Sequence, residues 1–526
     1  MARINTNIPS LIAQSNLNRA NQDLGVRLQR LSTGLRINRG ADDPAGLIIS
    51  ERLRTEIEGV GQGIKNSERA SNVIATTESS LAEVSDLLNT IKALVVESAN
   101  TGAFSAEEVA ANQKQIDSAI DSITRISNTA SFAGLKLLNG DRGYRLSGVN
   151  GSNLLISKIN SANFLKRPSV QVDVEVVASA QQAQVFMRTD FSNAGIFGAG
   201  GTDGILMSAI TLEVKGPDGV EVISFASGTS VDSMVTAISN RSNSTGVNAE
   251  RVNAGDISSG LRFFSTEYGA DSLISVRKIS NTGTFFSGNA YVLDGDVAVP
   301  ASDVFADPNA IQATEDSGKD VVAIVNGALA VGRGLELSVR NTELDLELLL
   351  EETFSQTITG TPETFHITGG GSLFQLGPEV NASQQVNIGV QSIAASRIGA
   401  TLSTLTDGSK EVQFLSSLKT GGANDLRKSV DRRDFTSTDN ILDAAIDEIA
   451  TMRGRLGAFE RNTLQTNIRS LQSALENVTA AESSIRDADF ARETSELTRA
   501  QVLTASTTSV LATANQQASS VLQLLG

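Results

Sequence analysis

The chain of 526 residues has no cysteine, no tryptophan, a single histidine and three tyrosines. Without cysteine there is no disulfide and no thiolate chemistry, so an extracellular chain of this kind is held by packing alone. A Ser-His-Asp or Cys-His arrangement needs a histidine. The one present, His366, sits in TFHITGG, an alternating stretch that reads as an ordinary strand. A HExxH zinc site is impossible with one histidine. No run reads as a membrane-spanning helix, which needs about 20 predominantly apolar residues. The start, MARINTNIPSLIAQSN, lacks an apolar stretch of the signal-peptide kind, so no Sec-type leader is expected. Basic residues are outnumbered: the net charge is -16 and the pI near 4.7. That balance excludes nucleic acid as a natural partner.

Charge is missing most conspicuously at the C-terminal end. Arg499 is the last charged side chain, and AQVLTASTTSVLATANQQASSVLQLLG follows, from Ala500 to Gly526. Eight Ser/Thr and five Asn/Gln among these 27 residues exclude a bilayer anchor. Leu503, Val510, Ala514, Ala518, Val521 and Leu525 step by 7, 4, 4, 3 and 4, the period of a coiled-coil seam. An uncharged back face suits a helix enclosed by neighbours on several sides.

Both ends of the chain share this heptad texture. Near the start, Leu17, Leu24, Leu28, Leu31 and Leu35 step by 7, 4, 3 and 4. A break follows at INRGADDPAGL, where Asp43 before Pro44 supplies an N-cap acceptor and a pre-set φ. One ladder of sevens then runs Leu53, Val60, Ser67, Ile74, Leu81, Leu88, Val95, with a second through Ile57, Ile64, Ser71, Val84 and Ile91. A helix of roughly 50 residues is about 75 Å long. Val109, Ile116, Ile120 and Ile123 predict a third helix. At the other end Leu442, Ile449 and Leu456 step by seven, and Ile468, Leu471, Leu475, Val478 and Ile485 continue the pattern. Each narrow seam needs a partner, so the two ends are expected to pack together.

The middle is rich in Gly, Ser, Asn and Thr with short alternating runs. VQVDVEVV reads as a strand, and ITLEVKGPDGVEVISF as a hairpin around Gly216-Pro217-Asp218-Gly219. Ser230 caps a short helix over 231–240, and ELSVRNTELDLELLLEE alternates again. The fold class expected is α+β and discontinuous, with terminal helices paired and a β-rich middle inserted. Glu343, Asp345 and Glu347 have calcium-ligand chemistry, but an i, i+2, i+4 spacing on a strand is one solvated face. GVGQG at 59–63 lies inside the heptad ladder and reads as a site of close helix packing; GAGGTDG at 198–204 reads as a surface loop. No catalytic constellation, metal site or cofactor site emerges, and the chain is not expected to be an enzyme.

Long motifs stand at both ends of the chain. At the start they are NTNIPSLIAQSNLNRA, LSTGLRINRGADDPAGLIISERLR and SFAGLKLLNG. At the end they are GAFERNTLQTNIRSLQSALENVTAAESSIRDADFARETSELTRAQVL and ANQQASSVLQLLG. These motifs closely resemble those of bacterial flagellin. FQLGPEVNASQQVNIGVQSIAASRIG is similar to the flagellin segment that returns the chain to the core. The stretch from Thr211 to Ile279 is similar to a repeat inserted in many flagellins and hook-associated proteins.

The resemblance implies five parts. Residues 1–43 and 489–526 form inner coiled-coil helices, and 44–176 and 373–488 the two parts of a long-helix core. Residues 177–372 form inserted β-rich outer domains. It implies a subunit that self-assembles into the extracellular flagellar filament for swimming motility, exported through the flagellar type III apparatus without a cleaved signal peptide. Implied partners are other copies of itself, a secretion chaperone at the C-terminal helix, the filament cap and the hook-associated junction proteins, with no nucleic acid, no membrane insertion and no cofactor. Implied interface residues are Leu17, Leu24, Leu28, Leu31, Leu35, Leu503, Val510, Ala514, Ala518, Val521 and Leu525. The core seam takes Leu53, Val60, Ile74, Leu81, Leu88, Val95, Leu442, Ile449, Leu456, Ile468 and Leu475. Flagellins sensed by the vertebrate innate immune receptor carry an arginine, a leucine and a glutamate on the long helices. The matching positions are Thr90, Leu94 and Gln115, so two of the three contacts depart from the pattern. A hook–filament junction protein is the alternative within assembly. A carboxylate-only glycosidase displayed on the scaffold and an adhesin in the outer domain are alternatives outside it.

Overall fold

The computed structural model describes residues 6–102, 105–164, 167–187, 205–206, 209–253, 260–281, 290–293, 310–341, 343–358, 360–404 and 410–523. The described helices are α1 (Ile8–Thr33), α2 (Pro44–Ala99), α3 (Ala106–Thr129), α4 (Val231–Ser239), α5 (Ser242–Thr245), α6 (Glu352–Gln356), α7 (Leu426–Arg432), α8 (Thr436–Phe459), α9 (Gln465–Arg486) and α10 (Phe490–Gln523). A π-helical turn, Glu460–Leu464, carries α8 into α9. Two compact units emerge, and α2 runs through both.

The first unit holds residues 1–72, 374–385 and 458–526. Asn7 caps α1 by accepting from Ser10 N at 3.1 Å, and Gly34, at φ 71°, ends it in the left-handed conformation that costs glycine least. The chain then pairs briefly with the α9–α10 connection: Arg36 N donates to Arg486 O at 2.7 Å, and Ala488 N to Gly34 O at 2.9 Å. Asp42 accepts from the backbone N–H groups of Asn38 and Arg39, which hold its carboxyl below the usual range. Asp43 caps α2 through Gly46 N at 2.9 Å. A Cβ on Gly46 would lie 2.8 Å from Ile37 Cδ1, so this turn has no room for a side chain. Gly59 and Gly63 let the return segment lie directly on α2: their Cβ positions fall 3.1 Å from Pro378 Cβ and from Leu376 O. Asn467 Nδ2 spans Ser67 Oγ and Leu376 O.

The second unit holds residues 73–373 and 386–457. Its helical part buries Ile74, Leu81, Leu88 and Val95 of α2 with Val109, Ile116, Ile120 and Ile123 of α3 and Leu442, Ile449 and Leu456 of α8. A second buried row on α2 consists of Ala70, Thr77, Val84, Ile91 and Ser98, all sevens, and it differs from the sequence reading in its early members. Ile57, Ile64 and Ser71 are only partly covered. Small residues at 70, 77 and 98 permit close helix approach, which sequence hydrophobicity does not register.

The β part forms two antiparallel modules. In one, a four-stranded sheet (Glu315–Ser317, Leu273–Asn281, Ile210–Lys215, Val220–Phe225 in spatial order) shares a core with strands Gln184–Met187, Leu261–Ser265 and Val247–Arg251 and with α4. In the other, a five-stranded sheet centred on Val170–Ala178 faces a four-stranded sheet ordered Val331–Arg333, Glu336–Arg340, Leu344–Leu350, Leu154–Ala162. Tyr144–Ser147 is an edge strand of that module. The boundary expected at residue 177 therefore falls inside a strand, and the β module begins near residue 144. Strand pairing with the returning segment Glu363–Gly370 draws these residues out of the helical core.

Candidate assembly interface

The terminal helices α1 and α10 pack antiparallel. Asn7 Nδ2 donates to Ala514 O at 3.0 Å and Ser10 Oγ to Asn515 Oδ1 at 2.7 Å at one end. At the other, Glu493 accepts from Arg27 at 3.2 Å and from Arg30 at 3.2 Å. The covered stripe of α1 is Ser10, Ala13, Leu17, Ala20, Leu24, Arg27 and Leu31. That of α10 is Glu493, Leu497, Ala500, Thr504, Thr507, Leu511 and Ala514. Both alternate in threes and fours, the knobs-into-holes period. Ala500, Thr504, Thr507 and Ala514 make four of the seven positions of the α10 stripe small.

Glu493 is only 5% exposed. A carboxylate so covered is stable only when paired. Burial works against the charge of Arg27, but its hydrogen bond to Glu493 and the charges of Asp23 and Glu493 outweigh burial and raise its pKa. Arg27, Arg30 and Glu493 are the charged contribution to an otherwise neutral seam, and sequence periodicity alone missed them because charged residues are scored as solvent-facing.

The expected interface residues fall into three groups. Leu17, Leu24, Leu31 and Leu35 are partly covered, and Ala514 is buried. Leu28, Leu503 and Val510 are 49%, 45% and 55% exposed. The α10 seam read from the sequence thus lies one position off the stripe that meets α1: Thr504 and Leu511 face inward where Leu503 and Val510 were expected. Ala518 and Val521 belong to α10, but their side chains, like all of Leu525, lie outside the described residues. Of the core set, Val60, Ile74, Leu81, Leu88, Val95, Leu442, Ile449 and Leu456 are buried; Leu53, Ile468 and Leu475 are partly covered.

Large apolar side chains remain uncovered on the same helix pair. They are Ile8, Leu11, Ile12, Val26 and Leu28 on α1, and Phe490, Val502, Leu503 and Val510 on α10. One exposed leucine means nothing, but a grouped set on two short-seamed helices marks an interaction surface.

No catalytic geometry accompanies this surface. Among the described residues no group of three or more His, Asp or Glu side chains is placed to hold a metal. His366 lies mid-strand opposite Ser147 and Gln171. Asp345 and Glu347 accept from Asn160, and Glu347 also from Arg340. The glycine run 198–204 lies outside the described residues. No described helix is long and apolar enough to cross a membrane.

Three family models match the chain: the bacterial flagellin N-terminal helical region over residues 4–142, the C-terminal helical region over 440–525, and the flagellin hook IN motif over 211–267. Together they span more than half of it. The chain belongs to the bacterial flagellin family. It is a structural protein and a subunit of the flagellar filament. Flagellin from Salmonella typhimurium is 28% identical over 99% of both chains. Flagellin E from Vibrio cholerae is 43% identical over 137 residues, covering 26% of this flagellin and 36% of that one. Among solved structures, hook-associated protein 3 from Legionella pneumophila overlaps 83% of this flagellin and 98% of its own chain, at 12% identity and a TM-score of 0.30. Flagellins of this kind form the extracellular filament. The full-length likeness to flagellins favours the filament over the hook–filament junction.

Proposed function

We propose that this flagellin polymerises through its terminal helices, which complete their folding only in the filament. The observation that carries this is the mismatch between what α1 and α10 cover and what they expose. Each gives the other one stripe, in which Leu17, Leu24, Leu31, Leu497 and Leu511 are only partly covered, and leaves a second set of large apolar residues in water. Ordering each residue costs ~1–2 kcal/mol of backbone entropy, and a single two-helix seam offsets little of it. Burial of Ile12, Leu28, Leu503 and Val510 against neighbouring copies supplies the remainder, at about 25 cal/mol per Å² of apolar surface. Folding and association are then one step.

The interface residues on this reading are Leu17, Leu24, Leu28, Leu31, Leu35, Leu503, Val510, Ala514, Ala518, Val521 and Leu525. The charge-free Ser/Thr/Gln surface of the last helix suits the wall of a water-filled passage for unfolded chains. A secretion chaperone that keeps α10 apart from α1 before export, the filament cap and the hook-associated junction proteins are the proposed partners. Export uses the flagellar type III apparatus. Thr90 and Gln115 are both exposed, so the departure from the immune-receptor pattern stands on an accessible surface, and weak recognition by that receptor is expected.

Limited proteolysis of monomer and filament tests the coupling. Monomer should lose both ends while the middle survives, and filament should resist. Equal resistance of the two forms would contradict it.

A further inference from the structure

Within the second unit, one cleft is not absorbed by assembly. The four-stranded sheet of Leu154–Ala162, Val331–Arg333, Glu336–Arg340 and Leu344–Leu350 has two faces. One face carries Leu337, Leu346 and Leu348 into the module core. The other carries Lys158, Glu336, Arg340 and Glu347, and α8 lies across it with Glu448, Met452 and Arg455. Between them is a cleft of about 630 Å³. That is within the size range of small-molecule sites, and convergent polar groups on an apolar floor are their usual lining.

The charges that face this cleft are not equally satisfied. Lys158 pairs with Glu448 at 3.3 Å, Arg340 with Glu347 at 3.4 Å, and Arg333 with Asp271 at 3.3 Å. Arg455 makes no ion pair or hydrogen bond among the described residues, although Asp345 and Glu347 lie near enough to act on it through space. Burial lowers its pKa despite the pull of those two carboxylates. A half-buried guanidinium with open donors is an anion receptor, and its planar fork matches a carboxylate bidentately. On the sheet side, Glu336 and Glu347 present acceptors that a purely anionic ligand would not use.

We propose that this cleft binds a small organic carboxylate that also bears hydroxyl or ammonium groups, such as a sugar acid or an amino acid. Arg455 takes the carboxylate, and Glu336 and Glu347 accept from the donors at the other end. Met452 and Leu349 supply the apolar wall. The carboxylates opposite Arg455 select against a bare anion, since a second negative group placed there would be repelled. The site is lined by residues of the second unit alone.

Met452 reports the cleft directly. The chain has five methionines, and Met187 and Met234 sit in the core of the other β module. Full-length monomer labelled at its methionine methyls is titrated with gluconate, glutamate and, separately, sulfate, with Met452→Leu to assign the resonance. Gluconate or glutamate should shift the Met452 methyl saturably while Met187 and Met234 stay still, and sulfate should not. Arg455→Gln should weaken the response by about tenfold or more, as should Glu347→Gln to a smaller degree. A Met452 methyl that neither organic probe moves in the wild-type protein would overturn the proposal. So would an equal response to sulfate, or an unchanged response in an Arg455→Gln protein whose other methyl resonances are native.

Discussion

Glu493 shows what one charged residue does in a neutral seam. It is covered by α1 and held by Arg27 and Arg30, so removing the carboxylate leaves two arginines facing a low-dielectric groove. Glu493→Ala is expected to destabilise the α1–α10 pair by about 1–3 kcal/mol, read as a lower melting temperature of the filament. Glu493→Gln, which keeps the shape and one acceptor, should cost less. Lys92 makes a second residue-scale case with a definite sign. Burial favours its neutral amine, but hydrogen bonds and charge from Asp439 and Asp443, at 2.5 and 2.8 Å, outweigh burial and raise its pKa above 10.5. A raised folded-state pKa means the stabilisation is complete below the unfolded value and is lost as pH rises through the folded one. Lys92→Met should therefore melt earlier than wild type at neutral pH, and the difference should close as pH rises through the raised value. A difference that persists there would show that the contribution is packing of the stem.

At the scale of elements, legibility followed the size of the side chain. The ladder Val60, Ile74, Leu81, Leu88, Val95 is visible because each rung is large and apolar, and all of these are buried. The neighbouring row fails to show because Ala70, Thr77 and Ser98 carry no hydrophobic signal, yet they are what lets the helices close up. The same cause displaced the α10 seam. Thr504 and Thr507 look featureless, and Leu503 and Val510 draw the eye to the outer face; Ala514 alone belongs to both rows. The start of the β module near residue 144 was lost for another reason: its edge strand Tyr144–Ser147 pairs with residues more than two hundred positions later, and no local period reports that. Leu88→Ala should cost about 2–5 kcal/mol through the cavity it leaves, measured by thermal or denaturant unfolding of the monomer. Leu503→Ala should leave monomer unfolding nearly unchanged, because its side chain covers little there, and should raise the concentration needed for polymerisation.

For the whole molecule, the division of labour runs along the chain. The buried rows on α2, α3 and α8 and the two β modules hold cores of their own. The terminal pair leaves a second set of large apolar residues exposed, Ile12, Leu28, Leu503 and Val510 among them. A chain without cysteine, and an end proposed to complete its folding among copies, suit a subunit of an extracellular filament. The α+β class and the pairing of the ends were readable from heptads flanking an alternating middle. The arrangement of the nine-stranded modules was not, since their order is set by long-range pairing.

The most direct measurement is electron microscopy of purified full-length protein beside protein lacking Ala500–Gly526, each given salt and filament seeds. Long tubular filaments from the full-length chain, with the truncation remaining soluble and monomeric, are predicted. Filaments of normal length from the truncated chain would contradict the claim that the charge-free end of the terminal helix is the assembly element.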